Sequence, residues 1–377
     1  MPNKMNLRDK LYQNIVLERL NETDWQVGNT APLVVELDTT AVCNLACPGC
    51  ISEDLVSQGK RFSDERLLQL GQEFIDIGVK AVILIGGGEP LAHRQAGKLI
   101  ELLGKNDIHV GITTNGYYID KYEKEIAEYS SWTRISVDAA TENIFDQLRP
   151  AKNGKSAFPK IIQNIKKLAD IKSRKGKIGF SFLIRTEADG PDIVDNIHEI
   201  YSAAVLAKNI GCDYFEIKPT YKFRDDVPHS LMQHHPERMK VARSEIERLS
   251  EIETDDFRII HAINLEFSLN GVEESQAKGY AVCPSTHLRT TVTPFGVYVC
   301  PYWRGKQHMC IGNVQKVSFK ELWRSSRRFD VMKQLDASRD CNFHCLRHET
   351  NLACFDIKHS LKNKNTIDFI DEFDRFI

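Results

Sequence analysis

The sequence predicts an α/β fold, a partial (β/α)6 TIM-like barrel followed by a small C-terminal domain, and three observations carry that reading. Short β-rich runs alternate with segments whose apolar residues recur at helical spacing, the pattern of βα units on a parallel sheet. The 377 residues suffice for one such barrel with an appendage. Six of the ten cysteines are crowded beyond the last of these units, from Cys283 to Cys354, which marks a second kind of structure there.

Taken in order, Leu7, Leu11, Ile15, Val16 and Leu20 predict an amphipathic helix over 5–20, ahead of the first strand. Strands are predicted over 33–39, 80–85, 108–113, 133–138, 177–184 and 213–218. Helices are predicted over 64–77, 95–104, 119–129, 158–173 and 192–209, with Ser63 and Asp192 as capping residues. Six units leave such a barrel open. Beyond Pro219 a polar stretch carries His229, His234 and His235, and a helix follows near 236–250. Those histidines lack metal-ligand spacing and read as a solvated loop or lid. The expected division is an N-terminal helical extension (1–32), the barrel (33–220), a connecting helix and strand region (221–279), and a C-terminal domain with its tail (280–377).

Fifty basic residues face 52 acidic ones, interspersed along the chain, so no basic face advertises nucleic acid or an anionic membrane. No apolar run approaches the roughly 18 residues that span a bilayer. The first eight residues are polar with no secretory core, and sparse cysteines in a long chain argue against a disulfide framework. A cytoplasmic enzyme with reduced thiols is expected.

Cys43, Cys47 and Cys50 follow the apolar run 33–37, where a strand hands over to a loop. Three thiolates from one short loop can hold three irons of a four-iron cluster and leave one iron open to a ligand. Zinc needs a fourth ligand, and His93 lies beyond a whole predicted helix. On the cysteines alone, zinc and unliganded thiols stay open as alternatives.

One βα unit later, Gly86-Gly87-Gly88-Glu89-Pro90 ends the strand Val82-Ile83-Leu84-Ile85. The cysteine spacing, its place after a first strand, and this glycine motif together resemble the radical S-adenosylmethionine (SAM) superfamily over about residues 33–220. The resemblance implies that Cys43, Cys47 and Cys50 ligate a [4Fe-4S] cluster and that SAM chelates the open iron. Reduction would then split SAM to methionine and a 5'-deoxyadenosyl radical that abstracts hydrogen from a substrate. An external electron donor such as flavodoxin or ferredoxin is implied as a partner.

In barrels, active residues gather at the C-terminal ends of strands, and every motif falls there. Gly87 and Gly88 let backbone approach SAM, and Glu89 offers an acceptor for its ammonium. Asn115 would orient SAM or simply accept a left-handed turn before Gly116. Alternation along strand four puts Ser136 and Asp138 on one face, suited to the SAM carboxylate and the ribose hydroxyls, with helix capping as the plainer reading. Arg185 would pair with the SAM carboxylate or be a surface arginine at a strand end.

The segment from Thr293 to Pro301 reads as a hairpin ending in Cys300 and, with Ile311-Gly312-Asn313-Val314 and the helix near 319–323, resembles the SPASM/twitch extension of radical SAM enzymes. The resemblance implies auxiliary [4Fe-4S] clusters. The spacing Cys341-x3-Cys345-x8-Cys354 departs from the tight run of the full form, so one cluster is favoured over two, held by Cys283, Cys300, Cys341 and Cys345. A zinc ribbon is the alternative. Cys310 and Cys354 are left as ligands of a second cluster, hydrogen-atom donors or buried hydrophobes, and Cys212 as a core residue.

An auxiliary cluster gives a substrate radical somewhere to leave an electron, so net oxidation of a small polar, hydroxylated or sugar-like metabolite is the expected reaction. Glu216 and Lys218, on one face of strand six, and Tyr302, Trp303 and Arg304 are its candidate contacts. About 32 residues precede the first strand, too few for the leader-binding domain of many peptide-modifying relatives. A peptide maturase, a sugar epimerase with a cysteine hydrogen donor, and a non-enzymatic iron-sulfur electron carrier are the alternatives.

Overall fold

The computed structural model describes residues 7–190, 192–222, 230–231, 235–270, 277–363 and 376. Its principal strands are β1 Val34–Asp38, β2 Ala81–Ile85, β3 His109–Thr114, β4 Ser130–Ser136, β5 Lys177–Leu183, β6 Tyr214–Lys218, β7 Arg258–His261, β8 Arg289–Thr293, β9 Gly296–Tyr298 and β10 Cys310–Gly312. They form one ten-stranded sheet in the order β10-β9-β8-β1-β2-β3-β4-β5-β6-β7. From β8 to β7 every pairing is parallel, and only β8-β9-β10 run antiparallel. The sheet is therefore an open barrel, with the six predicted strands at its centre. Two further parallel strands, β7 and β8, join its edges from outside the 33–220 span.

The longer helices are α1 Asn14–Glu22, α2 Asp64–Ile77, α3 Ala96–Lys105, α4 Glu123–Tyr129, α5 Glu142–Leu148, α6 Phe158–Asp170, α7 Ile200–Asn209, α8 Pro236–Arg248, α9 Ser326–Gln334 and α10 His348–Lys362. Side chains two apart on a strand share a face, and that rule sorts the core in two. Val35, Leu37, Val82, Leu84, Phe180, Phe182, Phe215 and Ile217 pack outward against Leu70, Phe74, Ile100, Leu103, Ile165 and Ala203 of the helices. Burying each of these phenylalanines contributes about 2 kcal/mol.

The concave face is graded along the strands. At its lower end Val34, Ala81, Ile83 and Trp132 meet Leu11, Val16 and Leu20 from the N-terminus and Ala353, Cys354 and Ile357 from α10. Further up, the same faces carry Glu36, Asp38, Arg134, Ser136, Ser181, Glu216 and Lys218. Gly111 and Gly179 make room on this face, since a Cβ at Gly179 would lie 2.0 Å from the Tyr214 ring and one at Gly111 2.3 Å from Trp132.

Several expectations need correction. The predicted helix over 5–20 is split: a one-turn helix at Leu7–Lys10 precedes α1, with a break at residues 11–13. Residues 119–129 begin as a 3-10 turn at Ile119–Lys121 before α4. Ser63 caps α2 by accepting from Arg66 N at 3.1 Å, but Asp192 caps nothing, because α7 begins only at Ile200. The reason is Asn196, whose side chain is committed to three backbone groups and holds 192–199 out of a regular helix. His229 and His234 lie outside the described residues, and His235 stands at the start of α8.

Candidate active site and a second cysteine-lined cavity

Beyond β1 the cysteine loop is pinned by backbone on several sides. Ala41 N donates to Lys60 O at 2.8 Å, Glu89 N to Val42 O at 2.9 Å, Ala46 N to Pro150 O at 2.8 Å and Lys152 N to Asn44 O at 3.0 Å. The glycine turn packs directly on it. A Cβ on Gly88 would sit 2.4 Å from Val42 O and 2.5 Å from Ala41 C, so only glycine allows this approach.

Cys43, Cys47 and Cys50 are half-buried and free. Burial pushes the Cys43 thiol up to about 11, with Glu89, Cys47 and Cys50 adding to the rise. Burial raises Cys47 as well, opposed by the Arg149 and Arg185 guanidiniums. The three thiols thus lie within electrostatic reach of one another, and Cys47 within reach of two cations suited to an anionic centre. Among the described residues no three Cys, His, Asp or Glu side chains converge on a single metal ion. The fit is that of the donor set and its charge: three soft thiols with compensating arginines, as an iron-sulfur cluster requires.

Glu89 is 2% exposed, and burial pushes its carboxyl up to about 6. Its Oε1 accepts from Leu91 N (3.0 Å) and Thr114 Oγ1 (2.6 Å), and its Oε2 from Asn115 N (2.7 Å). Glu89, expected to accept from a ligand ammonium, also ties the glycine turn to the turn after β3. Asn115 then reaches the cysteine loop, donating to Asn44 Oδ1 at 2.9 Å with Cys43 Sγ at 3.9 Å.

Asp138 departs from the strand alternation expected of it. β4 ends at Ser136, and Asp138 is left-handed (φ 63°). Its Oδ1 accepts from Leu183 N at 2.8 Å, and its Oδ2 is paired with Arg149, whose Nε donates at 2.8 Å. Arg185 is 7% exposed, so it is no surface residue. Its Nη2 donates to Pro48 O in the cysteine loop at 3.3 Å, and Asp189 lies 3.6 Å from its Nε. Ser136 stands beside Ser181, which stands beside Glu216, in one row across the concave face.

Two residues here escaped the sequence reading. Arg149 holds Asp138 and stands near Cys47, while the fully buried Asn196 donates to Asp138 O (2.8 Å) and Leu183 O (2.9 Å) and accepts from Arg185 N (2.8 Å). No motif announces either.

Ion pairs line the concave face. Arg134 Nε is 2.9 Å and Lys218 Nζ 3.3 Å from Glu216 Oε2, and Arg304 Nη2 is 3.1 Å from Asp38 Oδ1. Glu36 is paired with Arg289. Burial alone would raise Glu216, yet Arg134 and Lys218 hold it below the usual carboxylate value; Lys218 is itself lowered by burial. Glu216 and Lys218, candidate substrate contacts, are each other's partners here.

Cys283, Cys300, Cys341 and Cys345 line one cavity together with Arg289, Trp303 and Arg347. Burial, and then the neighbouring thiols, push Cys283 and Cys341 up to about 12. Four thiols around one space beside two guanidiniums fit a second cluster by the same donor chemistry. Cys310 and Cys354 do not line it. Cys310 Sγ is turned toward Gly312 O (3.5 Å) within the hairpin, and Cys354 is fully buried in the lower core, with Cys283 within electrostatic reach. Cys212 is buried in the outer core. Tyr302 Oη accepts from Leu346 N at 3.1 Å and Trp303 is buried, so both bind the C-terminal region together. A separate cleft of about 460 Å³, lined by Thr40, Val42, Arg61, His93 and Arg94, lies apart from Asn115, Ser136, Asp138 and Arg185.

Residues 37–196 match the family model described as the Radical SAM superfamily. The mycofactocin maturase MftC of Mycobacterium tuberculosis is 25% identical over 327 residues, covering 83% of this chain and 76% of the relative. A GTP 3',8-cyclase of Staphylococcus epidermidis is 30% identical over 126 residues, 30% of this chain and 36% of the cyclase. Among solved structures, Streptococcus suis SuiB bound to precursor peptide SuiA aligns with a TM-score of 0.58 at 12% identity, over 81% of this chain and 67% of SuiB. Histidine-tagged anSMEcpe with bound AdoMet aligns with a TM-score of 0.54 at 18% identity, over 88% and 98%. These two share the fold. The family match opens inside β1 at Leu37 and closes at Asn196, the amide that joins the ends of β4 and β5, so it takes in the cysteine loop, the glycine turn and the polar strand ends alike: the chain carries a radical SAM domain, with SAM and a [4Fe-4S] cluster as its cofactors.

Proposed function

We propose that this enzyme is a peptide-modifying maturase that abstracts hydrogen from a precursor peptide. The observation that carries this is the reach of the likeness to the mycofactocin maturases, which covers 83% of the chain and so extends well beyond the radical SAM domain. The SuiB structure, of the same fold, holds a precursor peptide. The small sugar-like substrate expected from the sequence finds no such support. Among the described residues no helix is long and apolar enough to cross a membrane.

On this reading Cys43, Cys47 and Cys50 hold the cluster, which when bound and reduced supplies the electron that splits SAM. Gly87 and Gly88 bring backbone to the ligand, and Ser136, Asn115 and Arg185 face it from the strand ends. Glu89 and Asp138 position rather than bind: Glu89 fixes the 114–115 turn, and Asp138 fixes Arg149 beside the thiols. Cys283, Cys300, Cys341 and Cys345 hold an auxiliary [4Fe-4S] cluster. A flavodoxin or ferredoxin supplies electrons from outside.

The test is anaerobic turnover with SAM and a strong reductant against two panels, the short peptides encoded beside the gene and a set of aminocyclitols and sugars. A peptide that stimulates 5'-deoxyadenosine formation and changes mass supports the proposal. Stimulation by a small polyol alone overturns it.

A further inference from the structure

Asn351, on α10, is 1% exposed, and its amide orientation is fixed by its neighbours. Oδ1 accepts from Ser285 N at 3.0 Å and from Ser285 Oγ at 2.6 Å. A backbone N–H can only donate, so the amide oxygen faces Ser285 and the NH2 group faces away from it. On that side Nδ2 lies 3.0 Å from Tyr280 Oη and 3.3 Å from Cys283 Sγ. One N–H serves the phenol and the other serves the sulfur. Tyr280 Oη is in turn 3.1 Å from His348 Nδ1, which holds the phenol in place.

A thiol is a weak acceptor and a thiolate a good one, so a buried N–H held on Sγ favours the deprotonated, metal-bound cysteine. The same pattern recurs around the cavity. Arg347 N donates to Cys345 Sγ at 3.4 Å, and the Trp303 indole hydrogen-bonds Cys341. Hydrogen bonds to ligand sulfurs draw negative charge off an iron-sulfur centre and make it easier to reduce.

We propose that Asn351 is a positioning residue that raises the reduction potential of the centre held by Cys283, Cys300, Cys341 and Cys345, fitting that centre to accept electrons. The inference rests on reading these four cysteines as cluster ligands. Its test is a potentiometric titration followed by electron paramagnetic resonance on the reconstituted full-length enzyme, for wild type, Asn351→Leu, Asn351→Asp and Ser285→Ala. Both Asn351 variants should shift the midpoint of the second centre to more negative potential, the aspartate further because it adds charge. The first centre should not move, and iron should stay near about eight per chain. Ser285→Ala keeps the backbone donor that orients the amide and should leave both midpoints in place. An unchanged midpoint with full iron overturns the inference. So does loss of the second centre from the same-sized Asn351→Asp, which would make the residue a mere support. About four irons in the wild type overturns the cluster reading itself, and the inference with it.

Discussion

Arg304, four residues past Cys300, lies 3.1 Å from Asp38 at the end of β1, and Asp38 accepts the backbone N–H of Gly87. One carboxylate thereby links the cysteine-rich C-terminal region to the glycine turn of the SAM site. Arg304→Met should leave Asp38 buried without its cation, lowering stability by about 3 kcal/mol. SAM cleavage should fall with it, because the carboxylate that holds Gly87 loses the cation that fixes it. Chemical denaturation and 5'-deoxyadenosine assays check both, and unchanged cleavage would show that the glycine turn stands without this link.

The two cysteine sets should separate by iron content and by chemistry. The wild type should hold about eight irons per chain. Cys43→Ala should retain about four and cleave no SAM, whereas Cys300→Ala should also retain about four yet still cleave SAM while losing peptide product. Iron and sulfide analysis beside product chromatography distinguishes these cases.

Arg149→Met should be more damaging than its half-buried position suggests. It would strand Asp138, 3% exposed, and remove a cation from beside Cys47. The expected loss is about 3 kcal/mol of stability together with weaker cluster retention. Arg149→Lys should recover the charge but not the two-nitrogen contact with Asp138, giving an intermediate value in both measurements.

Burial holds Glu89 at about 6, above its ordinary value, so the folded chain binds this proton more tightly than the unfolded one. Its contribution to stability is therefore greatest below about pH 4 and is lost as pH rises toward 6, by on the order of 2 kcal/mol. Glu89→Gln carries no such titration. Whatever its constant offset, its stability relative to wild type should climb across that window in urea titrations at several pH values. A flat difference would place the Glu89 carboxyl at its ordinary value.

The central strands were legible in the sequence because each is buried and bounded by turn residues, so that 177–184 and 213–218 land within a residue of β5 and β6. The cysteines and glycines were legible because spacing alone brings Cys43–Cys50 and Gly88 to adjacent strand ends. What was not legible depends on distance in the chain. Arg149 and Asn196 find their meaning at Asp138, 11 and 58 residues away, and no local pattern encodes that meeting. The fourth strand was read two residues too long, so that alternation was extended past the end of β4 into the left-handed turn at Asp138. β7 and β8 lie outside the run of regular βα units, and their pairing with β6 and β1 is a tertiary choice.

The lower mouth of the barrel is closed by the segment around α1 and by α10, with Leu11, Val16 and Leu20 on one side and Ala353 and Ile357 on the other, packed against Val34 and Ala81. A barrel stoppered at the bottom is a cup and not a tunnel. If the substrate is the precursor peptide proposed above, it cannot be threaded through such a cup; it has to dip in, as a terminus or as a bend, and withdraw by the way it came. The enzyme would then read the few residues at the tip of that bend, and the rest of the peptide would remain outside the rim.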